Sequence, residues 1–288
     1  MHDDHARDEL HDRGLAFDLA TLRARALEPL RLERRGALKL LVGAGAGLVL
    51  VACGSGSQSG STPTTAGGAG ATTSTTGSSG GSVAAIAAET GGPYPGDGSN
   101  GPNVLVEDGI VRQDIRSSFG SDAGTADGVP LAIDLTVVTA STGEPLAGAA
   151  LYAWHCDQNG RYSLYSSGVT DQNYLRGVQE AGADGRLSFT SIFPAAYSGR
   201  RPHIHLEVFE DLATATSGGL AIVTSQLALP EDACAEVYAT AGYEQSVANL
   251  ARTSLERDMV FSDGYEDQLA AVSGSASAGM TAALTVGV

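Results

Sequence analysis

Lysine is all but missing from this sequence: Lys39 is the only one among 288 residues. The other sixteen basic side chains are arginine, set against 33 acidic ones, for a formal charge of −16. A field of this sign repels phosphate backbones, and so few cations cannot drive the counterion release that non-specific nucleic-acid binding needs. No nucleic acid is therefore expected as a partner. Cysteine occurs three times, and no cysteine cluster offers a zinc-type ligand set. The apolar run from Leu40 to Ala52 is 13 residues, short of the roughly 20 that a helix needs to cross a hydrocarbon core. No internal repeat and no phosphate-cradling glycine motif stands out.

What is present is unevenly spread. Residues 1–52 hold eight acidic and eight basic side chains, whereas the remainder carries 25 acids against nine arginines, so the whole negative charge lies from Cys53 onward. Arg34-Arg35, the short apolar run and Leu50-Val51-Ala52-Cys53 resemble a bacterial twin-arginine signal that ends in a lipoprotein cleavage box. That resemblance implies lipidation at Cys53 and an exported, extracytoplasmic protein that touches a membrane only through its lipid anchor. Of the 29 residues from Gly54 to Ser82, 24 are Gly, Ser or Thr. Almost nothing there can repay the entropy of ordering the backbone. The layout expected is a signal region over 1–52, a tether over 53–82 and one catalytic domain over 83–288. In an exported protein the two remaining cysteines, Cys156 and Cys234, are expected to form a disulfide, worth about 4 kcal/mol in the chain-entropy model.

From Val83 the patterning favours strands. Leu131–Val138 and Ala149–His155 are short apolar or alternating runs bounded by turn residues such as Thr142-Gly143-Glu144-Pro145. Ala183-Asp184-Gly185-Arg186 predicts a tight turn before Leu187–Thr190, and Ile204–Phe209 alternates around His205. Helical signals come late: Pro230-Glu231-Asp232 opens a helix through about Thr240, and Gln245–Asp258 reads as a second. Many short strands at about ten-residue spacing predict an all-β fold, a sandwich of mainly antiparallel sheets with a few short helices.

The chemistry is concentrated in Arg200-Arg201-Pro202-His203-Ile204-His205-Leu206-Glu207. Residues two apart on a strand project from one face, so His203 and His205 can reach a single metal ion. Glu207 shares that face and offers a two-histidine, one-carboxylate Fe(II) site as an alternative. Tyrosine supplies nine of only sixteen aromatics; Tyr197 lies six residues before His203, and Tyr162 sits just after a strand, in Gln158-Asn159-Gly160-Arg161-Tyr162. A phenolate is a hard, anionic donor, and two of them with two imidazoles would favour a trivalent iron. Arg201 reads as a solvated surface residue.

The order Trp154-x5-Gly160-Arg161-Tyr162, Asp184-Gly185, Phe193-Pro194-x2-Tyr197 and Arg200-x-Pro202-His203-Ile204-His205 resembles the intradiol ring-cleaving dioxygenases, which include the protocatechuate 3,4- and catechol 1,2-dioxygenases. Gly92–Pro95, Val111–Ile115 and Thr224-Ser225-Gln226 extend the likeness over nearly all of residues 89–288. The resemblance implies one non-haem Fe(III) per chain, held by Tyr162, Tyr197, His203 and His205, and a catecholic substrate that is cleaved with dioxygen to a cis,cis-muconate type diacid. Tyr197 would take part in catalysis as well as ligation. Arg200 would stabilise the electron-rich ring, and Gln226 would line the substrate pocket. The loop Ser198–Pro202 is shorter than in the protocatechuate enzymes, and Ser163-Leu164-Tyr165 and Asn173-Tyr174-Leu175-Arg176 diverge where substrate-facing residues would fall. The signal region and tether occupy the place of the helical dimerisation domain of catechol dioxygenases. The competing expectation is a non-catalytic exported sandwich that binds an aromatic or a carbohydrate.

Overall fold

A computed structural model describes residues 81–288. The signal region, Cys53 and nearly all of the tether lie outside the described residues. Eight strands and three short α-helices follow: β1 (Pro130–Val138), β2 (Ala150–Trp154), β3 (Arg176–Glu180), β4 (Arg186–Ile192), β5 (His203–Phe209), α1 (Leu212–Thr216), β6 (Val223–Ala228), α2 (Glu231–Tyr238), α3 (Glu244–Leu250), β7 (Ala271–Ser275) and β8 (Gly279–Gly287). The strands form two four-stranded sheets, ordered β4-β1-β8-β7 and β3-β2-β5-β6. Every pairing is antiparallel except β1 with β8.

In β1 the alternation of Leu131, Ile133, Leu135 and Val137 with more accessible residues gives a strand buried on one face. Those side chains meet Leu151 and Ala153 of β2, Ile204, Leu206 and Val208 of β5, and Leu227 of β6 in the core between the sheets. The turn before β4 depends on Gly185, whose φ is +74° and whose Cβ would come within 2.4 Å of the Val137 carbonyl oxygen. Arg186 N–H donates to Asp184 Oδ1 at 3.2 Å and completes that turn.

β5 does not alternate between buried and exposed residues: all seven are buried. Its second face is covered by an irregular segment that brings Val104, Leu105 and Ile110 against Tyr152, Trp154, Val178 and Phe209, with Ala215 of α1. A central strand can thus carry two histidines and a glutamate without exposing them. The residues before β1 are stitched to the sheets by Ile86 N–H to Gly287 O and Glu89 N–H to Thr224 O.

The helix after Pro230 ends at Tyr238, and the second expected helix is broken: α3 stops at Leu250 and a single 3-10 turn follows at Leu255–Arg257. That break delivers Asp258 to the interior. Among the described residues no helix is long and apolar enough to cross a membrane.

Candidate metal centre

The register of the second sheet places Arg176, Trp154, His205 and Gln226 side by side across β3, β2, β5 and β6. Side chains paired across antiparallel strands share a face, so this row forms a platform on the side of the sheet away from the core. Trp154 stacks on the His205 ring at a centroid distance of 4.8 Å with 5° between the planes, and Tyr152 stacks on Trp154.

Tyr162 arrives on the loop after β2. Buried Asp157 organises that loop, its Oδ1 accepting from Asn159 N–H and Arg161 N–H and its Oδ2 from Arg161 Nε. Gly160 takes φ +78°, and a Cβ there would lie 3.3 Å from the Tyr197 Cβ, so glycine serves both the turn and the close approach of the second tyrosine. Tyr197 comes from the segment after β4, which α3 pins: Ala196 N–H donates to Ser246 Oγ and Asn249 Nδ2 donates to Ala196 O.

These elements bring four donor atoms together. Tyr162 Oη lies 3.5 Å from Tyr197 Oη, 3.4 Å from His203 Nε2 and 3.3 Å from His205 Nε2. Tyr197 Oη is 3.1 Å from His203 Nε2, and the two imidazole Nε2 atoms are 3.1 Å apart. His203 Nδ1 donates to Arg201 O at 2.6 Å, which leaves the Nε2 lone pair facing the cluster. Burial, then the Arg200 charge, holds the His203 imidazole well below its ordinary value; for His205 the causes are burial, then His203, then Arg200. Both rings are neutral and ready to ligate. Burial, then Tyr197, raises the Tyr162 phenol well above its ordinary value, a preference that a bound cation reverses.

Ligand atoms at about 2.0–2.2 Å from one ion, with angles of 90–120°, stand about 2.8–3.8 Å apart. Every separation given above falls in that window, and two hard phenol oxygens with two imidazoles suit a high-charge iron. The donor set fits a single ion. Among the described residues no group of three or more His, Cys, Asp and Glu side chains converges in a way that could hold a metal. Glu207 does not complete a two-histidine, one-carboxylate site; it lies two residue pairs further along the strands from His205, with Oε1 accepting from Thr224 Oγ1 at 3.2 Å.

Arg200 is 3% exposed and lies beside this cluster. Its Nε donates to both oxygens of Asp258 at 3.1 Å and its Nη2 to Gln226 Oε1 at 2.6 Å. The amide of Gln226 is thus occupied on both ends, since its Nε2 donates to Thr90 O at 2.8 Å. Arg201 is not a surface residue: it is 1% exposed, with Nη1 near Thr253 O and Glu231. The expected disulfide is absent. Cys156 and Cys234 are both free and buried, in different apolar clusters, with their thiols turned to Ala195 O and Leu229 O. Asp157 was legible in hindsight as the first residue of an Asp-x-x-Gly turn; Asp258 has no local signal at all.

Fold and site together define a β-sandwich whose one platform holds a two-tyrosine, two-histidine donor cluster. A family model described as Dioxygenase matches residues 101–214. Catechol 1,2-dioxygenase 1 of Acinetobacter lwoffii is 33% identical over 129 residues, 38% of this chain and 39% of that protein. A chlorocatechol 1,2-dioxygenase of Rhodococcus opacus is 31% identical over 90 residues, 25% of this chain and 35% of that protein. The chain thus spans well under half the length of these relatives. Among solved structures, an intradiol ring-cleavage dioxygenase from Tetranychus urticae shares the fold, with a TM-score of 0.52 at 24% identity over 63% of this chain and 88% of the other. Over the matched residues the chain is thus similar to the dioxygenase family and to catechol 1,2-dioxygenases.

Proposed function

We propose that this protein cleaves a catechol-type aromatic between its two hydroxyl-bearing carbons, inserts both atoms of dioxygen to give a cis,cis-muconate type diacid, and does so outside the cytoplasm on a lipid anchor at Cys53. The observation that carries the reading is the convergence of four donor atoms, five of whose six separations are 3.1–3.5 Å, supported by relatives that are named catechol and chlorocatechol 1,2-dioxygenases. Tyr162, Tyr197, His203 and His205 would hold one Fe(III), which when bound withdraws electron density from a catecholate and opens it to dioxygen.

The rest falls to the chain's own residues. Tyr162 is buried whereas Tyr197 is only partly so, so Tyr197 Oη is the phenol oxygen that a catechol hydroxyl can reach and pass its proton to. Trp154, stacked on His205, fixes the plane of that imidazole. Arg200 holds a permanent positive charge in a water-poor site, where it stabilises an electron-rich ring far better than it would in water. Gln226 holds Arg200 through its Oε1 and is itself held through its Nε2 by Thr90 O.

The test is spectroscopic. Iron-loaded protein is expected to show a visible phenolate-to-iron charge-transfer band that shifts on anaerobic addition of catechol. Tyr162→Phe and Tyr197→Phe together should abolish it. Iron-loaded protein without a visible band, or a band that survives the double substitution, refutes the assignment.

A further inference from the structure

Asp258 is the least accessible carboxylate near the site, with no exposed surface. It lies 58 residues beyond Arg200, on the stretch that leaves the 3-10 turn at Leu255–Arg257. Its own orientation is fixed from two backbone groups: Oδ2 accepts from Arg201 N–H at 2.6 Å and Oδ1 from Val260 N–H at 2.9 Å. With both oxygens so directed, the carboxylate also receives Arg200 Nε at 3.1 Å on each.

A guanidinium is planar, and two contacts on different nitrogens fix its plane. Asp258 supplies the contact at Nε, and Gln226 supplies the contact at Nη2. Gln226 is the register partner of His205, so the plane is fixed beside one of the four donors. Phe261 closes the remaining side, its ring centroid 5.9 Å from Arg200 Cζ. Without Asp258 the arginine loses the charged contact at Nε that fixes the inner end of its guanidinium.

We infer that Asp258 is a positioning residue of the ring-cleaving site: through Arg200 it holds a positive charge in the place where electron density builds on the substrate ring, and it touches neither substrate nor metal. The inference rests on the proposed ring-cleaving function. A carboxylate that serves folding alone would affect catalysis independently of Arg200, whereas one that acts through Arg200 has no catalytic effect once Arg200 is gone.

The experiment is a double-mutant cycle on the full, iron-loaded chain with Asp258→Asn, Arg200→Ala and the two combined, following kcat and KM for catechol together with the visible band. Asp258→Asn is expected to leave the band in place and to lower kcat at least about tenfold, with KM changed less than about threefold, the pattern of an interaction made in the transition state. In the Arg200→Ala background the same substitution should change kcat less than about twofold. Asp258→Glu, which restores the charge one methylene further out, should recover part of the lost kcat. If Asp258→Asn does not fold, the cycle is run with Asp258→Glu, which should lower kcat in the wild-type background and leave it unchanged in the Arg200→Ala background. Equal losses in both backgrounds, or kcat within about twofold of wild type, overturn the inference. A wild-type chain with no visible band, or with a band and no catechol turnover, overturns instead the functional reading on which it rests.

Discussion

Replacing Arg176 by Met tests how the Tyr162 loop is held. The guanidinium is 1% exposed and donates five hydrogen bonds: Nε to Ser163 Oγ at 3.0 Å, Nη1 to Pro95 O at 2.8 Å and to Tyr152 Oη at 3.1 Å, Nη2 to Tyr94 O at 2.9 Å and to Ser163 O at 3.0 Å. It ties the Gly92–Pro95 segment, the tyrosine loop and β2 into one unit. Methionine retains the stem and removes every donor. Pro95 O keeps a bond from Tyr152 Oη at 2.7 Å, so the damage falls mainly on the bonds to Tyr94 and Ser163. With charged hydrogen bonds at about 1.5–3 kcal/mol each, partly offset by no longer burying a charge, the net loss is about 3–5 kcal/mol. For a domain of this size that lowers the melting temperature by about 10–15 °C. Arg176→Lys should recover less than half, because an ammonium has three donors and no fork. The assay is equilibrium urea unfolding of iron-free protein, followed through the fluorescence of Trp154, the only tryptophan in the chain. A loss below about 1 kcal/mol, or a lysine variant as stable as wild type, would refute the reasoning.

His155 is buried, with Nδ1 donating to Cys156 O at 2.8 Å and Nε2 accepting from Ser191 Oγ at 2.7 Å. Burial lowers it from 6.5 to about 4. A histidine depressed in the folded state leaves the unfolded chain with more bound protons between those values, so its contribution is intact above pH 6.5 and is lost as pH falls toward 4. His155→Gln should therefore flatten the acid side of the stability curve by about 3 kcal/mol across that interval, measured as urea unfolding against pH; an unchanged slope refutes it. For the cysteines, thiol counting on the protein under non-reducing denaturing conditions is expected to find Cys156 and Cys234 both free, and reductant should leave the melting temperature unshifted. A drop on reduction of the size that breaking a native disulfide brings, about 2–5 kcal/mol, would contradict the geometry.

The fold class could be read because β1, β2, β4 and β5 declare themselves through β-branched or aromatic runs and turn residues at their ends. β7 and β8 do not. Ala271-Val272-Ser273-Gly274-Ser275 and the Gly279–Gly287 stretch are built largely of small residues; β8 becomes a strand through tertiary pairing, inserted parallel to β1 with Met280, Ala282 and Val286 in the core. The Tyr-Tyr-His-His set was legible because each member sits in a short local motif. The residues that orient it were not, because Asp258, Ser246 and Asn249 reach the site through the packing of the last third of the chain, and no local spacing records that. The disulfide expectation failed for a related reason. An expectation of export would favour pairing in general, but the sequence does not say that Cys156, two residues after β2, belongs to one apolar cluster while Cys234 lies on a helix in another.

The scarcity of lysine finds a structural counterpart in how the domain uses its cations. All nine basic side chains from Cys53 onward are arginine, and Arg176, Arg200 and Arg201 are 1–3% exposed. A fourth, Arg112, donates to the carbonyl oxygens of Arg176, Ser117 and Asn173 and lies over the Phe119 ring at 4.5 Å. Burial lowers its pKa to about 10, which still leaves it charged at neutral pH. An ammonium in such surroundings would shed its proton far more readily and could satisfy only three acceptors. Arginine alone remains a cation while bridging several segments: Arg176 ties Tyr94 and Pro95 to Ser163 beside Tyr162, and Arg200 joins Asp258 to Gln226 of β6. The domain is acidic overall yet buries three of its nine arginines, Arg176, Arg200 and Arg201, each among fixed acceptors.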